Sequence, residues 1–372
     1  VGLSGGVDSA VSAALLQKEG YEVTGVFIKA WSPEWMEPVR TGPGGCTWKE
    51  DRRSAMRVCA VLDIPFITLD LEEEYKREVV DYMVREYKAG RTPNPDVMCN
   101  KEIKFGAFLK WALARGASVA TGHYARVFAS PQTRGGRDEV RVGLLEGKDK
   151  NKDQSYFLWT LTENQLEHIL FPVGNLEKSE VRKLAEKFKL PQATRKDSQG
   201  LCFLGQVDMK EFLQHYIEPK RGDVLDEKGN AIGFHEGALF FTLGERHGFS
   251  IREKSYSGSP LYVVDKDVEK NTITVSKKIT PHNKLVQGSS LYLGDVNWNQ
   301  GEVPENDELE CRFRYRQEKL KCKVKKENAR LNDKVGQRKM EIKFENTNET
   351  PASGQSVVFY KGEICLGGGI IK

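Results

Sequence analysis

Two cysteines stand in settings that a packing residue does not need. Cys99 follows Asn94-Pro95-Asp96-Val97-Met98 and precedes Asn100-Lys101, just after Thr92-Pro93. Prolines two apart keep the approach extended. A thiol beside Asp96 and Lys101 lies in a charged setting, where a neighbouring cation lowers its pKa and raises its thiolate fraction. Cys202 sits in Lys196-Asp197-Ser198-Gln199-Gly200-Leu201-Cys202-Phe203-Leu204-Gly205, just past a polar turn where the sequence pattern changes. Loops and boundaries gather sites. One such thiol can carry sulfur while the other resolves it. Their separation of roughly a hundred residues does not show that they meet, and a buried structural role stays open for Cys99. Cys46, Cys59 and Cys365 read as structural, Cys59 on the apolar face of a helix.

The second chemistry is anion holding. Ser4-Gly5-Gly6-Val7-Asp8-Ser9 runs straight into a segment with Val7, Val11, Ala14 and Leu15 at helical spacing. A Gly-rich turn opening a helix aims backbone N–H groups at one point, so an anion is expected there. The Lys of G-x-x-x-x-G-K-[ST] is missing, so this is not a Walker A loop. Asp8 stands in the loop instead. A carboxylate beside phosphate is tolerable as a helix-terminus cap or through Mg²⁺, which suits pyrophosphate as a metal-held leaving group. Taken alone, the same turn also serves as a plain helix cap.

The third is polyanion binding. In Cys311-Arg312-Phe313-Arg314-Tyr315-Arg316 and Leu320-Lys321-Cys322-Lys323-Val324-Lys325, basic and apolar residues alternate with period two. That pattern predicts a hairpin with one face on a core and a basic stripe on the other, suited to a phosphate backbone. Residues 311–345 carry 13 Lys/Arg against 5 Asp/Glu, although the whole chain is only +4. Lys152-Asp153-Gln154-Ser155-Tyr156-Phe157-Leu158 passes from polar to apolar like a helix start.

These residues need elements to position them. Strand-like Tyr21–Ile28, Ile64–Leu69 and Ala117–His123 alternate with helical patterns over Asp51–Leu62 and Glu72–Glu86, which predicts a doubly wound parallel sheet with ligand loops at the strands' carboxyl ends. Thr162–Lys189 is helical in pattern. After Gly205 come short strand-like pieces, Gly222–Leu225, Ala238–Leu243, Leu261–Asp265 and Thr272–Val275, expected to form a small, mostly β linking domain. From Gly288 onward Leu291–Leu293, Glu310–Arg316, Leu320–Lys325, Met340–Phe344 and Ser356–Tyr360 read as a barrel, with Arg330–Lys339 as a hairpin loop. The expected domains are 1–204, 205–284 and 285–372.

Bulk properties exclude several classes. The 372 residues suffice for two or three cores. With 39% hydrophobic residues and no run of 18 apolar ones, no membrane span is expected. Val1-Gly2-Leu3 lacks a Met and a basic n-region, so it does not read as a signal peptide and reads as starting inside a strand. Seven scattered cysteines without C-x-x-C argue against a disulfide framework or zinc ribbon and fit a reducing cytoplasm.

The loop Ser4–Ser9 resembles the S-G-G-x-D-S loop of the PP-loop ATP pyrophosphatases. In order along the chain, Ala89–Asp96, Cys99–Phe105, Ala120–Tyr124, Asn151–Leu158, Gly200–Phe203, Arg314–Arg316 and Gly354–Gly369 resemble the tRNA-specific 2-thiouridylases. The resemblance implies an adenine nucleotide alpha hydrolase-like α/β domain, then the linking domain and a tRNA-binding β-barrel. It implies that ATP, with Mg²⁺ possible through Asp8, adenylates the C2 oxygen of the wobble uridine (position 34) in tRNAs for Lys, Glu and Gln. Cys202 would be the persulfide carrier, loaded by a cysteine desulfurase or sulfur-relay protein, Cys99 its partner thiol, and Asp96 an acid/base group. By the same resemblance Gly2, Leu3, Ser4, Gly5, Gly6, Val7, Asp8, Ser9, Ile28 and Gly122 line the ATP site. Asn94, Pro95 and Asp96 would meet the target base, and His123, Lys152, Asp153, Gln154, Arg314, Tyr315 and Gln355 would touch tRNA. The rival readings are another PP-loop adenylating enzyme acting on a small substrate, a tRNA-binding protein without catalysis, and an iron–sulfur cluster in place of the persulfide relay.

Overall fold

A computed structural model of the chain describes residues 1–33, 35, 48–134, 137–195, 209–253, 256, 260–277, 290–301, 308–326, 340–344 and 351–372. Strands β1 (Gly25–Lys29) and β2 (Phe66–Asp70) pair in parallel. Residues 1–3 extend that sheet: Val26 N donates to Val1 O, Leu3 N to Val26 O, and on the other side Gly2 N donates to Ala120 O. Ala120 belongs to β3 (Val119–Ala120). A hairpin of β4 (Ala125–Arg134) and β5 (Arg137–Glu146) leaves the sheet before β6 (Ile169–Leu170) returns to pair in parallel with β3. The spatial order is therefore β2, β1, residues 1–3, β3, β6. The chain reverses direction across the sheet between residues 1–3 and β3, so the ligand crevice opens where Ser4 and Thr121 leave it.

Helices cover both faces: α1 (Val7–Lys18), α2 (Trp48–Leu62), α3 (Glu72–Tyr75), α4 (Asp81–Lys88), α5 (Pro95–Met98), α6 (Phe108–Leu113), α7 (Glu163–Leu166), α8 (Lys178–Lys187) and α9 (Met209–Gln214). A π-helical turn, Lys76–Val80, joins α3 to α4, and a π-helical stretch, Cys99–Ala107, joins α5 to α6. Alternate strand residues serve opposite cores. Val26 and Val119 pack with Tyr75, Met83, Ile103 and Phe108, whereas Phe27 and Ala120 pack with Val11, Val58 and Val181. That two-sided burial explains the apolar runs in the sequence.

The second sheet is ordered β10 (Tyr262–Asp267), β11 (Thr272–Ser276), β7 (Gly222–Leu225), β8 (Ala231–His235), β9 (Phe249–Ile251), around Val224, Phe241, Val263 and Ile273. The third is a closed barrel of six strands: β12 (Ser290–Trp298), β15 (Met340–Phe344), β14 (Leu320–Lys326), β13 (Leu309–Arg312), β16 (Ser356–Lys361) and β17 (Ile364–Ile371), with β17 returning to β12. Hairpin β4–β5 joins this sheet from the first domain, through Ile364 opposite Leu145 and Cys365 opposite Leu144.

Several expectations change. Tyr21–Ile28 and Ala117–His123 shrink to β1 and β3. The helical reading of Thr162–Lys189 divides into α7, β6 and α8, because Pro172 cannot continue a helix and Ile169–Leu170 is taken by β3. Ala238–Leu243 is not a strand: Ala238–Phe240 forms a 3₁₀ turn entered through Gly237 at φ +147°. Lys152–Leu158 begins no α-helix, only a 3₁₀ turn at Ser155–Phe157. The strand expected over Glu310–Arg316 ends at Arg312, and Arg316 has φ +63°. The expected boundaries at 204/205 and 284/285, the Arg330–Lys339 loop and Cys46 lie outside the described residues.

Candidate nucleotide and tRNA site

The Ser4–Ser9 loop follows residues 1–3 out of the sheet and enters α1. Gly6 caps that helix with no side-chain hydrogen bond, so the first-turn donors are left to an anion. The loop folds on itself through Ser9 Oγ, which lies 3.3 Å from Ser4 N, Ser4 Oγ and Gly6 O. Gly5 has φ +77°, and a Cβ there would fall 2.7 Å from Asp51 O, so no other residue fits. Arg195 fixes the same turn, donating to Gly5 O at 2.8 Å and pairing with Asp51 at 2.6 Å.

Asp8 is only partly exposed. Its Oδ1 accepts from the Tyr124 hydroxyl at 2.8 Å and from Lys178 Nζ at 2.6 Å. Asp8 Oδ2 has no partner among the described residues, and the side chain keeps 32% of its surface exposed. From β3 come Thr121, Gly122 and His123. A Cβ on Gly122 would stand 2.6 Å from Ser9 N, so this glycine lets the turn press directly on the first turn of α1. Ile28, half-buried at the end of β1, lies on the same carboxyl edge of the sheet.

His123 is buried, with Nδ1 at 2.7 Å from Thr121 Oγ1 and Nε2 at 3.4 Å from Lys104 Nζ. An ammonium only donates; Nε2 therefore accepts and Nδ1–H points to the threonine. Burial holds this imidazole well below its ordinary pKa, with the Lys104 charge acting the same way. Lys104 belongs to the π-helical stretch that starts at Cys99. Through Lys104 that stretch ties the cysteine segment to the Gly122–His123 turn.

The cysteine segment is held at a junction of all three sheets. Thr92 N donates to Ser353 O at 2.8 Å, Gln355 Nε2 donates to Thr92 O at 2.7 Å, and Thr92 Oγ1 is 3.3 Å from Thr242 Oγ1. Asn94 then caps α5, its Oδ1 accepting from Val97 N at 3.3 Å, with Pro95 at the first helical position. Asp96 is half-buried and Cys99 only 3% exposed. Cys202 and its neighbours lie outside the described residues. Cys59 is buried with its thiol pushed up to about 11, and burial likewise pushes Cys365 up, as inert structural thiols require.

The residues expected to touch tRNA fall into two groups. Exposed Arg314 and half-buried Tyr315 lie in the turn after β13, with Tyr315 4.7 Å from the Phe157 ring and Arg316 stacked on it at 4.8 Å. The Tyr156 hydroxyl donates to Phe313 O at 2.7 Å. The segments around 152–158 and 313–316 are thus one continuous patch. Within it, Lys152 is half-buried, and Gln154 Oε1 accepts from Tyr124 N. Asp153 is turned inward: it accepts from Gly147 N, Ser155 N and Arg312 Nη1. Arg312 is turned inward too, toward Asp153 and Glu146, so the expected flat stripe loses one of its six cations. Lys321 and Lys323 keep the alternation and face outward. Gln355 is occupied by the Thr92–Pro93 backbone.

Sequence reasoning missed Lys178 and Arg195, which reach the loop from far along the chain, and the Ser353 carbonyl. No local pattern marks them.

A family model described as the tRNA methyl transferase HUP domain matches residues 1–206, the tRNA methyl transferase PRC-barrel domain matches 210–277, and the Aminomethyltransferase beta-barrel domain matches 288–371. The tRNA-specific 2-thiouridylase MnmA of Bacillus subtilis (strain 168) is 43% identical over 374 residues, covering 100% of this chain and 94% of the relative. That of Bacillus pumilus is 44% identical over 375 residues, and that of Streptococcus thermophilus 43% over 378, each with the same coverage. Among solved structures, NMN synthetase from Francisella tularensis aligns with 56% of this chain and 69% of its own at a TM-score of 0.32 and 19% identity. With one family model spanning more than half of the chain and close relatives matched along all of it, the chain belongs to the tRNA-specific 2-thiouridylase family.

Proposed function

We propose that the protein is an ATP-dependent tRNA-uridine 2-sulfurtransferase, converting the wobble uridine (position 34) of tRNAs for Lys, Glu and Gln to 2-thiouridine. The observation that carries this reading is the run of contacts from the Cys99–Ala107 stretch, through Lys104 to His123 and through Gly122 to Ser9, that links the cysteine segment to the uncapped, Gly-rich start of α1. A uridine C2 carbonyl is a poor electrophile with no usable leaving group. Attack of its oxygen on the α-phosphorus of ATP forms an O–P bond, and pyrophosphate departs with the electrons of the α–β bridge. Residues 2–9, Ile28 and Gly122 would line the nucleotide. Mg²⁺, held through Asp8 Oδ2, would offset the charge of the leaving pyrophosphate.

Sulfur then arrives from a Cys202 persulfide, loaded by a cysteine desulfurase or relay protein. Cys99 thiolate attacks Cys202 Sγ, and the S–S bond breaks toward the terminal sulfur. The released hydrosulfide adds at C2, and AMP leaves with the original oxygen. Cys99 and Cys202 end as a disulfide, which a two-electron thiol reductant resets. Asn94, Pro95 and Asp96 meet a base that must leave its stack to be reached. Lys152, Gln154, Arg314 and Tyr315 bind the surrounding tRNA, while the buried His123 and Asp153, together with Gln355, act from behind, by shaping the Gly122 turn, the Gln154 turn and the Thr92–Pro93 approach. The domains are taken as 1–204, 205–284 and 285–372, and the compartment as the cytoplasm. No described helix is long and apolar enough to cross a membrane.

The test is mass spectrometry of tRNA after incubation with ATP, Mg²⁺ and a persulfide donor. Thiolation at position 34 is expected, and Cys202→Ala or Cys99→Ala should abolish it. Full thiolation by Cys202→Ala would overturn the relay. ATP–pyrophosphate exchange that needs no RNA would point to a small-substrate adenylating enzyme instead.

A further inference from the structure

The anion loop lacks the lysine that accompanies phosphate in a Walker A loop, and its one charged side chain is an acid. The cation comes from elsewhere. Lys178 stands at the first turn of α8, which packs against α1 in the same apolar cluster. Three restraints aim it. A capping box links Glu177 and Glu180, Lys178 N donates to Asp149 Oδ2 at 3.0 Å, and the ammonium lies 5.8 Å from the centre of the Tyr124 ring. The side chain is only 14% exposed and ends 2.6 Å from Asp8 Oδ1.

Lys178 and Tyr124 both use Oδ1, which leaves Oδ2 without a partner among the described residues. An ion pair at the edge of an anion site, with one carboxylate oxygen uncommitted, is poised rather than closed. Lysine's flexible stem and three donors let it keep Asp8 and also reach a second acceptor. We infer that Lys178 is a nucleotide-binding residue: its ammonium contacts the phosphate chain of ATP while holding Asp8 in place. The inference rests on the ATP reading above and adds to it the residue that supplies the missing charge.

Equilibrium dialysis of the full chain with ATP and with adenosine tests it. Lys178→Met should weaken ATP binding about tenfold or more, the scale of a lost charge-assisted hydrogen bond, and leave adenosine binding unchanged. Lys178→Arg should recover most of the loss. Unchanged adenosine affinity also reports an intact fold, and Lys178→Gln stands in should the Met variant melt early. The same substitution made in an Asp8→Asn background separates contact from support. A further loss of ATP affinity there is expected, whereas no further loss would mean that Lys178 acts only through Asp8 and would overturn the inference. ATP binding by Lys178→Met at the wild-type level would overturn it directly. If the unsubstituted chain binds adenosine and ATP equally weakly, the nucleotide reading itself fails.

Discussion

His123 illustrates how neighbours set a single side chain's chemistry. Its imidazole is held neutral by burial and by Lys104. Below about pH 6.5 the unfolded chain binds a proton at this histidine and the folded chain does not. Stability therefore falls as pH drops through that value, by at most about 1.4 kcal/mol per pH unit, until the folded pKa is reached. His235, also lowered chiefly by burial, acts with the same sign. Denaturant unfolding of wild type and His123→Asn between about pH 7.5 and 5 should show the shallower dependence in the variant. Identical slopes would mean that His123 takes up its proton in the folded state. At this scale the sequence showed which residues could act and not which partners they have. Asp8 stands out as an acid in a phosphate cradle. Tyr124 and Lys178, which hold it, are 116 and 170 residues away and carry no local signal.

The elements of the barrel seam show where periodicity stops being informative. Alternation placed Arg312, Arg314 and Arg316 on one open face, but the strand ends at Arg312. A turn follows, closed by Gln317 Oε1, which accepts from Phe313 N and Arg314 N. Arg312 instead bridges Asp153 at 3.2 Å and Glu146 at 3.1 Å, both almost fully buried, beneath the Tyr360 ring. Lys319 and Lys150 complete the pairing of Glu146 at 3.0 Å each. Removing one partner from a buried ion cluster leaves uncompensated charge, so Arg312→Ala should cost about 3–5 kcal/mol. Exposed Arg316→Ala should stay within about 0.5 kcal/mol. Urea unfolding of both variants checks this, and equal midpoints would show that the cluster adds nothing to stability. The helices and parallel strands were easier to read, because their cores follow local spacing. The 3₁₀ turn at Ala238–Phe240 was not, since its apolar run suits a strand equally well.

Across the whole molecule, the cysteine segment and the basic end, far apart in sequence, are joined through Phe157, whose carbonyl accepts from Asn100 Nδ2 at 3.1 Å and whose ring lies 4.7 Å from that of Tyr315. Replacing Arg314 and Arg316 together by Ala should weaken tRNA binding and flatten its log–log salt dependence by about one unit per lost phosphate contact. Filter binding across a salt series measures it, and an unchanged slope would place the tRNA elsewhere. The α/β class followed from alternating elements, and the barrel from successive short strands. Nothing in the sequence announced that a hairpin of the first domain would enter the barrel's sheet, because pairing of Leu144 with Cys365 leaves no local trace. That shared sheet has a consequence in time. As the chain is synthesised, β5 emerges with its outer edge bare, and the residues that cover it follow some 220 positions later. At about 5–20 residues per second the wait is roughly 10–45 s. An unpaired strand edge is a template for other chains, so the nascent chain carries an aggregation-prone edge on the ribosome until β17 arrives to cover it.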